Sequence, residues 1–223
     1  MLQILKDIYA DTTIGPVLGF KGGTAAYLFY DLNRFSVDLD FDLLDSSKED
    51  YVFEKIEAIL EKYGIFRDKQ KKRHTLFFMI SYESNLQNVK VEINRRESIS
   101  KYETKTFLGI SMLVMTKEDM FANKLLAMVE RIGKTNRDIF DVWFFFKNNW
   151  DFNKEIVEQR SGMSSVDFLQ KAINVLDAMD GGNILAGLGE LLDEKQKVWV
   201  KAELKNDALF LLRLAVDSEI RKG

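Results

Sequence analysis

The stretch that decides the fold is Phe20-Lys21-Gly22-Gly23-Thr24-Ala25, followed after a short connection by Leu32-Asn33-Arg34-Phe35-Ser36-Val37-Asp38-Leu39-Asp40-Phe41-Asp42-Leu43. Paired glycines let the backbone approach a ligand closely, and a helix beginning just after them aims its free amide hydrogens at that ligand. The aspartates recur at a spacing of two. In an extended strand this places Asp38, Asp40 and Asp42 on one face and Leu39, Phe41 and Leu43 on the other, ready for burial. Working outward, residues 17–20 read as a short buried strand and residues 25–31 as a helix. Thr24 stands at the start of that helix, where its hydroxyl can cap the helix or touch a phosphate oxygen.

Nothing in strand physics favours carboxylates side by side, because aspartate is depleted in strands and like charges repel. A divalent cation bridging Asp38 and Asp40 removes the repulsion, and two such ions can clamp an in-line displacement at phosphorus. The plainer alternative is a solvated edge strand whose charges block pairing with another sheet. A third reading notes that Asp38, Asp40, Asp42 and Glu49 have the spacing of the acidic ligands in a calcium-binding loop. It fails at Leu43, where that loop needs the backbone freedom of glycine, and the alternating apolar residues favour a strand.

Composition narrows the chemistry further. With 223 residues, 46% hydrophobic and 30% charged, the chain can fill one core or two small ones. It contains no cysteine and a single histidine, His74, which excludes disulfides, thiolate chemistry and an all-histidine metal site within one chain. Any metal must be held by oxygen, which points to magnesium or manganese. No apolar run is long enough to span a bilayer, and Lys6, Asp7 and Asp11 interrupt the opening residues, so a soluble cytoplasmic protein with no membrane role is expected. A net charge of −3 argues against bulk electrostatic coating of nucleic acid. The one basic run, residues 67–73, with Lys90, Arg95 and Arg96 further on, reads as a solvated loop or a local nucleic-acid contact.

Elsewhere, Ile4, Leu5 and Ile8 fall at helical spacing within residues 1–10. Ser47 is the candidate cap of a helix over 48–63, closed by Gly64. Strands are expected over 74–82 and 89–94, joined by a polar turn at 83–88, and over 111–115. Thr116 with Asp119 resembles a weak capping box, and helices are expected over 116–131, 137–147, 165–178, 184–192 and 194–221. The fold class expected is α+β, with a catalytic half over 1–115, built on a mixed sheet flanked by helices, and a mostly helical half over 116–223.

The order strand, Gly-Gly turn, helix, Asp-x-Asp strand resembles the nucleotidyltransferases of the polymerase-beta type. Within that superfamily the residues quoted at the outset are similar to the AbiEii/AbiGii toxin family. The likeness extends to Ala122-Asn123-Lys124-Leu125-Leu126-Ala127, Arg131 and Asn136-Arg137-Asp138-Ile139-Phe140-Asp141, which resemble that family's later lysine and Arg-Asp motifs. The matched blocks cover residues 20–43 and 116–146, and the chain beyond 165 carries no such motif.

The resemblance implies a polymerase-beta-like nucleotidyltransferase fold in which Gly22, Gly23 and Thr24 hold the triphosphate of an NTP, while Asp38 and Asp40 bind Mg2+ (or Mn2+) and act in catalysis. Asp42 is a neighbour of that site and an optional ligand. Glu92, in Val91-Glu92-Ile93, is the candidate third metal carboxylate, an ordinary exposed strand glutamate being the alternative. Lys21 and Arg34 are candidate phosphate contacts, with surface placement as the alternative.

Lys124 lies one turn from Met120 and Met128 on a helix whose apolar positions are expected to be buried, a costly place for an ammonium unless an anion meets it. The triphosphate is the expected anion and snorkelling to solvent the alternative. Asp138 is taken as the catalytic aspartate of the last motif, with Asp141 as alternate and complementation of the helix dipole as the plainer role. His74 reads as structural or solvated.

By resemblance, the expected activity is metal-dependent transfer of an NMP group from an NTP to an acceptor hydroxyl, with tRNA or other RNA favoured and pyrophosphate leaving. The expected setting is a bacterial toxin–antitoxin or phage-defence pair with a separately encoded antitoxin. The competing class is a degenerate module that binds nucleotide or a partner protein without turnover, which the intact Asp38 and Asp40 disfavour.

Overall fold

The computed structural model describes residues 1–82 and 88–222, so most of the turn expected at 83–88 lies outside the described residues. The chain packs as two compact units, Met1–Asp31 with Phe35–Thr116 and Leu32–Arg34 with Lys117–Gly223. Strands belong to the first unit. Among the described residues no helix is long and apolar enough to cross a membrane.

The first unit opens with helix α1 (Leu2–Ala10), which buries Ile4, Leu5 and Ile8 as their spacing predicts. Strand β1 (Leu18–Lys21) runs straight into helix α2 (Gly22–Phe29), which therefore starts at the glycine pair and not after it. Strand β2 (Leu39–Leu43) begins one residue later than the acid row, leaving Asp38 just outside it. Helix α3 (Glu49–Leu60) follows a short 3-10 turn, and the capping side chain there is Asp45, which accepts from the Ser47 amide; Ser47 does not cap. Then come β3 (Ile65–Lys71), β4 (Thr75–Ser81), β5 (Asn88–Asn94), β6 (Tyr102–Phe107) and β7 (Ile110–Met115).

These strands form one mixed sheet in the order β3-β4-β5-β2-β1-β7-β6. β2 is antiparallel to β1 and parallel to β5, so the acid row lies in the middle of the sheet and not on an edge. Leu39 and Phe41 are fully buried, with Phe41 packed 5.3 Å from Phe20.

The two edge strands differ from expectation. The basic run at 67–73 is largely strand, because an edge strand needs only one pairing partner and its charges deter a second. Its lysines fold back on α3: Lys71 lies 2.5 Å from Asp50, and Lys69 pairs with Glu57. β6 is almost wholly polar, and what creates it is a tight hairpin in which Leu108 and Gly109 both take positive φ, 48° and 78°.

The second unit is helical: α4 (Lys117–Arg131), α5 (Arg137–Lys147), α6 (Lys154–Ser161), α7 (Ser165–Ala178), α8 (Glu194–Trp199) and α9 (Lys205–Lys222). A π turn over Val200–Leu204 joins the last two, so the expected long helix is present with one bulge. The helix expected over 184–192 is absent. Short 3-10 turns at Gly181–Asn183 and Gly189–Leu191 stand there, and Gly187 with φ +64° breaks any helical path. α5 is buried on most faces, with Phe145 5.3 Å from Phe121 and Trp143 4.4 Å from Trp199.

At the centre of this unit is a buried ion cluster. Asp141, fully enclosed, takes a two-pronged grip from Arg34, with Nε 2.5 Å from Oδ1 and Nη2 2.7 Å from Oδ2. Lys124 Nζ lies 2.7 Å from Asp141 Oδ2 and 3.1 Å from Asp138 Oδ1, and Arg131 Nη2 is 2.8 Å from Asp138 Oδ2. Leu32–Arg34 is held beside it by the Asn33 carbonyl, which accepts from Gln196.

Burial alone would raise the Asp141 carboxyl, but Arg34 and Lys124 outweigh it and hold the group well below the usual carboxylate range. The resulting stabilisation is complete at neutral pH and is lost as pH falls below about 4 toward the depressed folded-state value. Asp141→Asn leaves buried cations undercompensated and is expected to cost about 3–5 kcal/mol in urea denaturation at pH 7. The difference from wild type should shrink on acidification.

Candidate active site

The candidate residues fall into two groups, one in each unit. In the first unit, pairing aligns three short sequences on one polar face. Asp40 lies opposite Lys21 of β1 and Glu92 of β5, and Asp42 opposite Gly19 and Asn94. One step before the strand, Asp38 Oδ2 lies 3.4 Å from Lys90 Nζ. The row Asp38-x-Asp40-x-Asp42 therefore runs beside Lys90-x-Glu92-x-Asn94, alternate residues facing alternate residues.

The three aspartates have different surroundings. Asp42 is 1% exposed and accepts from three donors: Lys21 Nζ at 2.5 Å, Asn94 Nδ2 at 2.6 Å, and the Tyr102 hydroxyl. Such a carboxylate is fully satisfied by protein. Tyr102 reaches it by lying flat over Gly19, where any side chain would collide with its ring. Burial raises the Tyr102 phenol, and the Asp42 charge raises it further, so it stays a donor. Asp38 and Asp40 are only partly buried. Asp40 and Glu92 bring two like charges side by side, an arrangement that favours a cation nearby.

The glycine turn is built around Asp40. Gly22 takes φ +79°, and an added Cβ would strike the Asp40 carboxylate, so this position requires glycine for both conformation and space. α2 starts there, presenting the amides of Gly22, Gly23 and Thr24 at its N-terminus beside Asp40. The Thr24 hydroxyl, wholly buried, donates to the Asp38 carbonyl and lies 3.0 Å from Ser36 Oγ. It fixes the chain that delivers Asp38.

Among the described residues, no three acidic or histidine side chains converge closely enough to hold an ion alone. Magnesium commonly keeps waters and shares one or two carboxylates with substrate phosphates, and the oxygen-only donors Asp38, Asp40 and Glu92 fit that mode.

In the second unit the sequence candidates Lys124, Asp138, Asp141 and Arg131 do come together, in the ion cluster described above. Arg34 joins them and is buried, not on the surface. The anions that meet Lys124 in this structure are two carboxylates. His74 sits at the β3–β4 turn, where burial and then Arg96, Arg73 and Arg95 lower its imidazole below its ordinary value.

The sequence grouped Lys90 with the basic run and not with the acid row, and did not single out Asn94 or Tyr102. The first two had a visible signal, the period of two around Glu92; Tyr102 had none, since its place depends on a polar edge strand. Gly22→Ala is expected to displace Asp40 and cost about 1–2 kcal/mol of left-handed backbone strain in thermal unfolding.

No curated protein sequence matches the chain significantly. Among solved structures, JHP933 from Helicobacter pylori is similar with a TM-score of 0.61 and 21% identity, covering 99% of this chain and 90% of that one. MenT4, a nucleotidyltransferase toxin from Mycobacterium tuberculosis, is similar with a TM-score of 0.57 and 18% identity, covering 94% and 81%. Both likenesses are of fold. The family model for the nucleotidyl transferase AbiEii toxin of type IV toxin–antitoxin systems matches residues 3–196. This chain, with its Gly-Gly turn set against Asp40, therefore belongs to the AbiEii family of nucleotidyltransferase toxins, a membership that implies an NTP substrate and a partner antitoxin.

Proposed function

We propose that the protein moves an NMP group from an NTP to a hydroxyl of RNA, with tRNA as the leading acceptor, in a reaction that depends on Mg2+ or Mn2+. The observation that carries this reading is the polar face itself: Asp40 against Gly22 on one side and Glu92 on the other. The acceptor oxygen bonds to the α-phosphorus, the bond to the β-phosphate oxygen breaks, pyrophosphate leaves with that electron pair, and the hydroxyl proton passes to solvent or a carboxylate.

The backbone amides of Gly22, Gly23 and Thr24 hold phosphate oxygens, and Lys21, kept in place by Asp42, adds positive charge beside them. Asp38, Asp40 and Glu92 would hold the divalent ion, which would supply charge neutralisation at the phosphoryl oxygens. Positioning does the remaining work. Lys124 and Asp138 enter as members of the family's lysine and Arg-Asp motifs, and their mutual ion pairing supports a positioning role. Phage defence and a cytoplasmic location belong to the same proposal.

RNA is favoured over a small acceptor by a local feature. The β3–β4 turn exposes Arg73, and the end of β5 exposes Arg96 nearby; among the described residues neither has a carboxylate partner, although Glu97 follows Arg96 in the chain. Arg95 braces this tip, pairing with Glu49 at 2.6 Å and donating to the Lys72 carbonyl, while Lys72 lies 3.6 Å from the Phe77 ring centre. In a chain of net charge −3, that patch is where a phosphate backbone is drawn.

Purified protein, labelled NTPs, divalent metal and total RNA are expected to give metal-dependent labelling of RNA that is absent with Asp40→Ala. Labelling that persists in Asp40→Ala contradicts the proposal. The double variant Arg73→Glu, Arg96→Glu is expected to weaken RNA binding roughly tenfold and flatten its salt dependence, with NTP affinity unchanged; filter binding across a salt series reads both.

A further inference from the structure

The polar face of the first unit places two lysines among its acids, and they are used differently. Lys21 is committed to buried Asp42, which also takes Asn94 and Tyr102. Lys90 is not locked in this way. It is 39% exposed, carried by a flexible stem, and its ammonium lies 3.4 Å from an oxygen of Asp38, itself 20% exposed. On the same strand, two residues along, Glu92 faces Asp40. The ammonium thus stands at the edge of a concentration of negative charge, beside one of the three carboxylates read above as metal ligands.

We infer that Lys90 is a built-in counter-ion that competes with a bare divalent cation for Asp38. It relieves the repulsion along the acid row when no substrate is present. It also makes the site a poor home for a naked dication, since a positive charge at contact range of Asp38 opposes a second one. A metal that arrives already bound to a triphosphate brings excess negative charge. That excess draws the Lys90 ammonium off Asp38 and onto phosphate oxygen, so the lysine links metal loading to nucleotide loading. The inference rests on the reading of Asp38 and Asp40 as metal ligands.

The test is a titration of the full chain with Mn2+ alone, following the free-ion signal by electron paramagnetic resonance, with no nucleotide and no turnover. Lys90→Gln is expected to bind Mn2+ on the order of tenfold more tightly than wild type, and Lys90→Arg to behave as wild type. In an Asp38→Asn background, Lys90→Gln is expected to bring no gain. Thermal melting checks that each variant is folded. An affinity in Lys90→Gln equal to or weaker than wild type overturns the inference, as does the same gain in the Asp38→Asn background. If Mn2+ binds wild type and is indifferent to Lys90, only this inference falls. If Mn2+ alone binds no variant, and equilibrium dialysis of a labelled non-hydrolysable NTP with Mn2+ shows no metal-dependent uptake by the wild-type protein, the metal reading of Asp38 and Asp40 falls too.

Discussion

The pairing of β2 with β1 on one side and β5 on the other is the constraint on which the functional face depends. Because the register sets Lys21, Asp40 and Glu92 in one line across the sheet, the glycine turn, the acid row and the Glu92 strand meet without any long loop to hold them. A slip of one residue in β2 would turn every carboxylate into the core and every apolar residue out of it. Buried Leu39 and Phe41 oppose that slip, so the hydrophobic effect that fixes the core also fixes the chemistry.

The same face separates enclosed charge from partly exposed charge. Asp42, surrounded by Lys21, Asn94 and Tyr102, is a carboxylate spent on the fold. Asp38 and Asp40 are only partly buried, Asp38 with 20% of its side chain exposed. The second unit uses charge in a third way, as a closed cluster in which Arg34 grips Asp141 and Lys124 bridges two aspartates. Deep burial makes that cluster costly to break and tightly specified in geometry.

Much of the central fold was legible in the sequence, for identifiable reasons. The alternation Leu39, Phe41, Leu43 announced a strand and the spacing of Ile4, Leu5 and Ile8 a helix, and the helix expected over 165–178 stands as Ser165–Ala178. Edge strands β3 and β6 were not legible, because strands paired on one side need little apolar content. The helix expected over 184–192 gives way to 3-10 turns at Gly181–Asn183 and Gly189–Leu191, because Gly187 takes positive φ and breaks the helical path. Within the site, the glycine pair and the acid row were visible, but the distinction among the three aspartates was not. It depends on Asn94 and Tyr102, which the sequence places 52 and 60 residues away from Asp42. Arg34 likewise reads as a phosphate contact or a surface cation until its partner, 107 residues further on, is known.

We propose the face formed by Asp38, Asp40 and Glu92, with the Gly22 turn beside it, as the place where metal and triphosphate meet. The most direct measurement is a crystal structure of the protein with Mn2+ and a non-hydrolysable NTP, the metal located by its anomalous scattering. Manganese is expected at about 2.1–2.2 Å from carboxylate oxygens of Asp38 and Asp40, the range between magnesium and calcium ligation, with triphosphate oxygens on the amides of Gly22 and Gly23. Metal and nucleotide bound elsewhere, with that face left to Lys90 and solvent, would contradict it.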